Sequence, residues 1–337
     1  MLWIEKYRPV TFQEIIGQDN AVELLETFAG TMNLPHLLLT GPHGTGKTVG
    51  VECLARAMYG DRFPENLTVI QAGDLFEQGK KYLEENERYI HIYRKDQSLL
   101  NNFKNIIRWY SSIPPLDSAF RMMVFEGASA LTRESQQGLR RIMERYSGTC
   151  RFIFITGQPS GIIPAIRSRC LPLFFSPLPE DLILARLRAI TRAENISSDV
   201  CPDDTLDLIA QAACGDLRKA IMLLQISVES SEPPDLLRWS QSETGQVAGA
   251  VFSAIESGDM QAAVRRIETL MIEYGLSSRE VLLELRNVTK REFNDPRISR
   301  ALGETDYLLG HCNNEYLQLN ALVLKIRREV FSREAGK

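Results

Sequence analysis

Paired cysteines are missing from this chain. Its six, Cys53, Cys150, Cys170, Cys201, Cys214 and Cys312, lie far apart, with no C-x-x-C spacing. That excludes a disulfide framework and a cysteine zinc site, and it reads as buried thiols in a reducing compartment. No apolar run approaches the roughly 18 residues that cross a bilayer. The opening Met1-Leu2-Trp3-Ile4-Glu5-Lys6 has no apolar core of a secretion signal. A cytoplasmic protein with no membrane partner is therefore expected. A surplus of positive charge is missing too, since 39 Lys and Arg stand against 43 Asp and Glu, a net charge of -4. Any contact with nucleic acid must come from a local basic patch. Internal repeats are absent, and beyond Pro179 so is any strand pattern.

What is there begins with Gly41-Pro42-His43-Gly44-Thr45-Gly46-Lys47-Thr48. It fits G-x-x-x-x-G-K-[ST], the phosphate-binding loop of nucleoside triphosphatases. The apolar run Leu37-Leu38-Leu39 reads as the strand entering it, and Thr48 to Met58 as the helix leaving it. In this context glycines let backbone N–H groups turn toward phosphate oxygens, and the helix N-terminus adds partial positive charge. Lys47 would reach the β- and γ-phosphates, and the Thr48 hydroxyl would ligate Mg²⁺.

Around this loop the rest of an α/β domain can be read. Residues 19–32 carry helical spacing, and Leu67–Ile70, Met122–Phe125, Arg151–Thr156 and Leu171–Phe175 read as strands. Residues 75–96 are dense in charge of both signs and read as a solvated surface insertion. Amphipathic helices are expected over 99–109 and 133–146, the second with Gly138 in its middle, a local cost of about 1 kcal/mol against Ala. Helices follow at 180–194, 203–213 and 216–229, the last capped by Asp216. Residues 229–234 read as a linker, and the remainder is helical. The N-terminal Trp3-Ile4-Glu5-Lys6-Tyr7-Arg8-Pro9 and Ile16-Gly17-Gln18 read either as an arm packed on the core or as a purine pocket, with Tyr7, Pro9 and Ile16 against the ring.

These motifs resemble the small subunit of replication factor C, the AAA+ sliding-clamp loader of archaea and eukaryotes. The resemblance runs over nearly the whole chain. It is carried by the N-terminal segment, the phosphate loop, Gln136-Gln137-Gly138-Leu139-Arg140-Arg141-Ile142-Met143-Glu144, Ser168-Arg169-Cys170, Gly215-Asp216-Leu217-Arg218-Lys219-Ala220 and Gln318-Leu319-Asn320-Ala321-Leu322. It implies an AAA+ α/β nucleotide-binding domain with a parallel sheet (1–162), a small helical lid (163–230) and an all-α collar for oligomerisation (231–337). It implies a pentameric ring with ATP sites at subunit boundaries, loading a sliding clamp onto primer–template DNA. Tyr7, Arg8, Pro9, Ile16 and Gly17 would join the phosphate loop in holding ATP. Arg169 would be an arginine finger serving a neighbouring subunit's nucleotide, and Arg218 a sensor of the chain's own γ-phosphate. Lys104 and Arg108, or Arg140 and Arg141, would track the DNA backbone.

The departures from that family carry equal information. Its usual Asp-Glu-Ala-Asp is here Glu126-Gly127-Ala128-Ser129, and its sensor Asn falls at Gly157. Glu126 keeps an acid for Mg²⁺, one methylene longer than Asp, but no water-polarising carboxylate follows it. Such a carboxylate is worth roughly 10²–10⁴ in rate. The expectation is a subunit that binds ATP, hydrolyses it weakly or not at all, and works beside a catalytically complete second small subunit and a large subunit. Two alternatives stand beside it: an active ATPase in which Glu126 does both jobs, and an assembly subunit in which ATP is structural.

Overall fold

A computed structural model describes residues 1–86, 89–115, 118–197, 200–229, 243–293, 295–312 and 314–331. The strands are β1 (Leu37–Thr40), β2 (Leu67–Gln71), β3 (Arg121–Glu126), β4 (Cys150–Thr156) and β5 (Leu171–Phe174). They form one parallel sheet in the order β2-β3-β4-β1-β5. Its register sets Leu37 beside Ile153 on one side and Leu171 on the other, and Gln71 beside Glu126. Short apolar runs suffice here because both faces are covered, so no alternation with polar residues is needed.

Successive residues of the central strands β1, β3 and β4 enter opposite cores. Leu38, Met123, Phe125, Phe152 and Phe154 pack with Phe103, Ile106, Ile107, Leu139, Ile142 and Met143. Leu37, Leu39, Met122, Val124, Ile153 and Ile155 pack with Leu25, Val51, Leu54 and Ala55. The result is three layers. The helices before the lid are α1 (Trp3–Lys6), α2 (Asp19–Thr31), α3 (Lys47–Tyr59), α4 (Phe63–Asn66), α5 (Ala72–Glu77), α6 (Lys80–Glu85), α7 (Leu99–Ser112), α8 (Arg133–Arg145) and α9 (Pro164–Arg167). The lid is α10 (Glu180–Ala193), α11 (Asp203–Ala213) and α12 (Leu217–Glu229). All of this belongs to one compact unit, Met1–Pro233.

The second unit, Pro234–Lys337, is built of helices joined by short turns among its described residues. It contains α13 (Glu243–Ser257), α14 (Met260–Ile272), α15 (Ser278–Glu292), α16 (Pro296–Leu309) and α17 (Glu315–Ile326). Its own core gathers Phe252, Ile267, Val281, Leu285 and Leu319.

Three readings of the sequence change here. β5 hydrogen-bonds to β1, so the nucleotide domain's sheet runs past residue 162 and its end moves beyond Phe174. The charged stretch 75–96 is not simply solvated: Leu75, Leu83 and Tyr89 are buried against Phe103 and its neighbours, while the charges face outward. Glu87 and Arg88 in that stretch lie outside the described residues, as do residues 230–234 of the expected linker. Cys53, Cys150, Cys170 and Cys201 are buried, but Cys214 is exposed at the end of α11, where the chain turns into the left-handed region (φ 50°), and Cys312 is half-buried.

Candidate nucleotide site and basic groove

The phosphate loop leaves β1 at Thr40 and enters α3 at Lys47, as the motif requires. Gly41, Gly44 and Gly46 all have positive φ. At Gly44 the need is also steric: a Cβ there would stand 1.7 Å from Asp216 Oδ1. Asp216 does cap α12, accepting the Lys219 N–H at 2.9 Å. The first turn of α12 therefore meets the loop at this carboxylate. The Lys47 ammonium donates to the Pro42 carbonyl and lies 3.4 Å from Thr45 Oγ1. Burial lowers its pKa and Arg218 adds to this, while Asp216 and Glu126 oppose the shift. A cation held in this partly dry setting, near two acids and another cation, is primed for a polyanion.

A cavity of about 810 Å³ opens beside the loop. Of the ATP residues expected from sequence it is bordered by Tyr7, Arg8, Pro9, Ile16, His43, Gly44, Thr45, Gly46, Lys47, Thr48 and Arg218, together with Glu126. Three expected residues do not border it. Gly41 lies behind the loop, where a Cβ would meet the Phe175 carbonyl at 2.0 Å. Pro42 serves Lys47 through its carbonyl. Gly17 packs under Leu178 and Leu182, which a Cβ would strike at 2.6 and 2.9 Å. The N-terminal segment packs on the core as an arm, with Trp3 buried and its backbone N–H donating to Gln225 Oε1 of the lid at 2.8 Å, and Tyr7 and Pro9 border the cavity. Arg8 forks onto Glu52 of α3 at 2.6 and 3.0 Å, and this pairing raises its pKa. Tyr7 OH and Lys6 Nζ both donate to Glu194 Oε1, at 2.6 and 2.7 Å.

At the other end of the cavity Thr48 Oγ1 donates to Glu126 Oε1 at 2.5 Å, and Gln71 Nε2 donates to Glu126 Oε2 at 2.7 Å. The Thr48 hydroxyl donates its hydrogen bond to the carboxylate, which leaves the threonine oxygen's own lone pairs for a cation. The Thr48–Glu126 pair thus fits Mg²⁺, which prefers hard oxygen ligands and the company of phosphates. Gly127 and Gly157 border the same cavity and bring no side chain to it. Sequence reasoning missed Gln71, Asp74, Ile15, Leu178, Leu217 and Ile221, which also line it. Ile15 neighbours Ile16 and Leu217 lies within the Gly215–Ala220 motif, whereas Leu178 and Ile221 belong to no motif.

Arg169 does not border this cavity. Its guanidinium meets Glu144 Oε1 at 2.6 and 3.1 Å and the Ala165 carbonyl at 2.7 Å, at the surface.

A second groove of about 790 Å³ runs between α7, α8 and residues 160–167. Lys104, Arg140 and Arg141, three of the four residues expected to follow DNA, border it with Arg133 and Arg167, and Glu134 is the one acidic group among its lining residues. Arg108 does not border it and instead donates to Asn105 Oδ1 at 3.5 Å.

Comparison with known proteins agrees with this geometry. Residues 17–179 match the family DNA polymerase III, delta subunit, and residues 246–325 the replication factor C C-terminal domain. A RuvB variant of Thermotoga maritima shares the fold at a TM-score of 0.51 and 17% identity, over 88% of this chain and 91% of that one. The fold is that of AAA+ phosphate-loop proteins. The replication factor C small subunit of Methanoregula boonei is 34% identical over 331 residues, 96% of this chain and 95% of its own. Replication factor C small subunit 1 of Pyrobaculum arsenaticum is 33% identical over 335 residues, 97% and 94% of the two chains. On this near full-length identity, the chain belongs to the replication factor C small-subunit family.

Proposed function

We propose that this chain is a clamp-loader subunit that grips ATP with Mg²⁺, hydrolyses it weakly or not at all, and supplies Arg169 to the nucleotide of a neighbouring subunit. The carrying observation is Gly127. It stands directly after Glu126 at the phosphate end of the cavity, where a water-polarising carboxylate would be needed. Glu126 is a poor substitute, because Thr48 and Gln71 hold its carboxylate at the end of the phosphate loop, where it serves the magnesium position. Binding needs none of the missing groups. Loop N–H groups, Lys47 and the Thr48 hydroxyl hold the phosphates and the ion. Pro9, Ile15, Ile16, Leu178 and Ile221 offer apolar surface to the base, and Arg218 approaches the γ-phosphate from the lid. Mg²⁺, when bound, neutralises phosphate charge.

Assembly with a second small subunit and a large subunit follows, since a ring of this chain alone would hold no competent site. The basic groove is assigned to primer–template DNA, tracked through phosphates by Lys104, Arg140 and Arg141 with Arg133 and Arg167. Arg108 is a weaker member, standing outside the groove. The test is direct: the purified chain should bind ATP in a calorimeter yet release phosphate at a rate at least about 10²-fold below a loader site with its carboxylate. Brisk phosphate release by the chain alone overturns the proposal in favour of an active site built on Glu126.

A further inference from the structure

We infer that Gln71 is the positioning residue of the magnesium site, fixing the long side chain of Glu126 so that it serves where a shorter acid would be held by its own length. The inference rests on reading the cavity as an ATP site. Gln71 and Glu126 are paired in register at the ends of β2 and β3, and both border the cavity beside Thr48. Glutamate has one more rotatable bond than aspartate, and its terminal torsion is broad and two-fold. Left alone, the carboxylate would sweep the cavity mouth.

Two donors pin it instead. Thr48 Oγ1 reaches Oε1 at 2.5 Å and Gln71 Nε2 reaches Oε2 at 2.7 Å. The Gln71 amide has one workable orientation, since its carbonyl oxygen turned toward the carboxylate would be repelled. A hydrogen bond to an ionised acceptor is the strong kind, and outer partners of metal ligands set ligand orientation and metal affinity. Gln71 thus acts through Glu126 and through nothing else that the cavity requires: no phosphate-loop group is among its hydrogen-bond partners here. No motif marks it, because its partner lies 55 residues away in sequence.

The test uses the full chain and titrates ATP in Mg²⁺ and again in EDTA, with Q71A, E126A and the double variant. Wild type should bind more tightly with Mg²⁺. Q71A should lose roughly tenfold of that Mg²⁺-dependent gain. The double variant should be no weaker than E126A, because the two residues act as one unit. Q71A keeping the full gain, weakening binding equally in EDTA, or adding its effect to that of E126A would each overturn the inference. A wild-type chain that binds ATP with no Mg²⁺ gain sinks this inference alone. A wild-type chain that binds no ATP at all sinks the ATP reading and this with it.

Discussion

At the scale of single residues, what the site can do turns on a glycine. Gly127 has φ 63° and ψ 38°, in the left-handed region, where a side chain costs about 1–2 kcal/mol. Space is not the obstacle: a Cβ there would have Gly73 N as its nearest neighbour, at 3.8 Å. Gly127→Glu should therefore fold, lose about 1 kcal/mol in a denaturant titration, and return a carboxylate to the phosphate end of the cavity. In the assembled loader, turnover at this site should rise, by at most the roughly 10²–10⁴-fold that such a group supplies. Unchanged single-turnover kinetics in a folded Gly127→Glu protein would count against a missing carboxylate as the cause of slow hydrolysis. Gly157 supports the same reading, since a Cβ there would meet only ordinary contacts, Gly41 O at 3.6 Å and His43 Nε2 at 3.9 Å. The position tolerates a side chain and has none.

At the scale of elements, Gly138 shows what one sequence position conceals. In sequence it is only a weak point of α8. In the structure α7 crosses it, and the stem of Lys104 lies where a Cβ would be, its Cε 2.6 Å away. Gly138→Ala should gain up to about 1 kcal/mol of helix propensity, because the flexible lysine can yield. It should also push Lys104 aside from the basic groove. If Lys104 meets a phosphate, DNA affinity falls and the salt slope drops by about 0.9, one contact's worth. A salt slope equal to wild type would return Lys104 to a solvated helix face. The helices and buried strands were legible because their signals are local. Leu37–Leu39 and Met122–Phe125 are continuous apolar runs, and α7 and α8 begin at side-chain caps, Ser98 to the Asn101 N–H and Thr132 to the Ser135 N–H. The failures were non-local. β5 has three exposed residues out of four at the sheet's edge, so nothing in its own sequence ties it to β1. In 75–96 a count of charges hid three buried apolar residues on the inner side. Among residues that border the two cavities, the phosphate loop, Tyr7 and Arg218 carry motifs in the sequence, whereas Gln71, Arg133 and Arg167 stand out only once distant segments meet.

At the scale of the whole molecule, the nucleotide cavity and the basic groove both lie within the first unit, and the second has a core of its own. The residues proposed to hold ATP thus come from one unit of one chain, and Arg169, the proposed finger, stands outside their cavity. Its ties to Glu144 are an exposed ion pair, worth about 1 kcal/mol or less in water. Releasing it toward a neighbour's triphosphate therefore costs little beside what a finger contributes, 10³–10⁵ in rate where it has been measured in related phosphoryl transfer. Arg169→Ala should leave ATP affinity of the isolated chain unchanged. In the assembled loader it should remove most of the DNA-stimulated hydrolysis at the site it serves, 10²-fold or more in single turnover. Loss of ATP binding by the isolated variant, with loader turnover intact, would assign Arg169 to its own chain and dissolve the division of labour between subunits. If instead binding holds and turnover collapses, the missing acid at Gly127 and the outward arginine describe one arrangement, in which each subunit boundary is assembled from two incomplete halves.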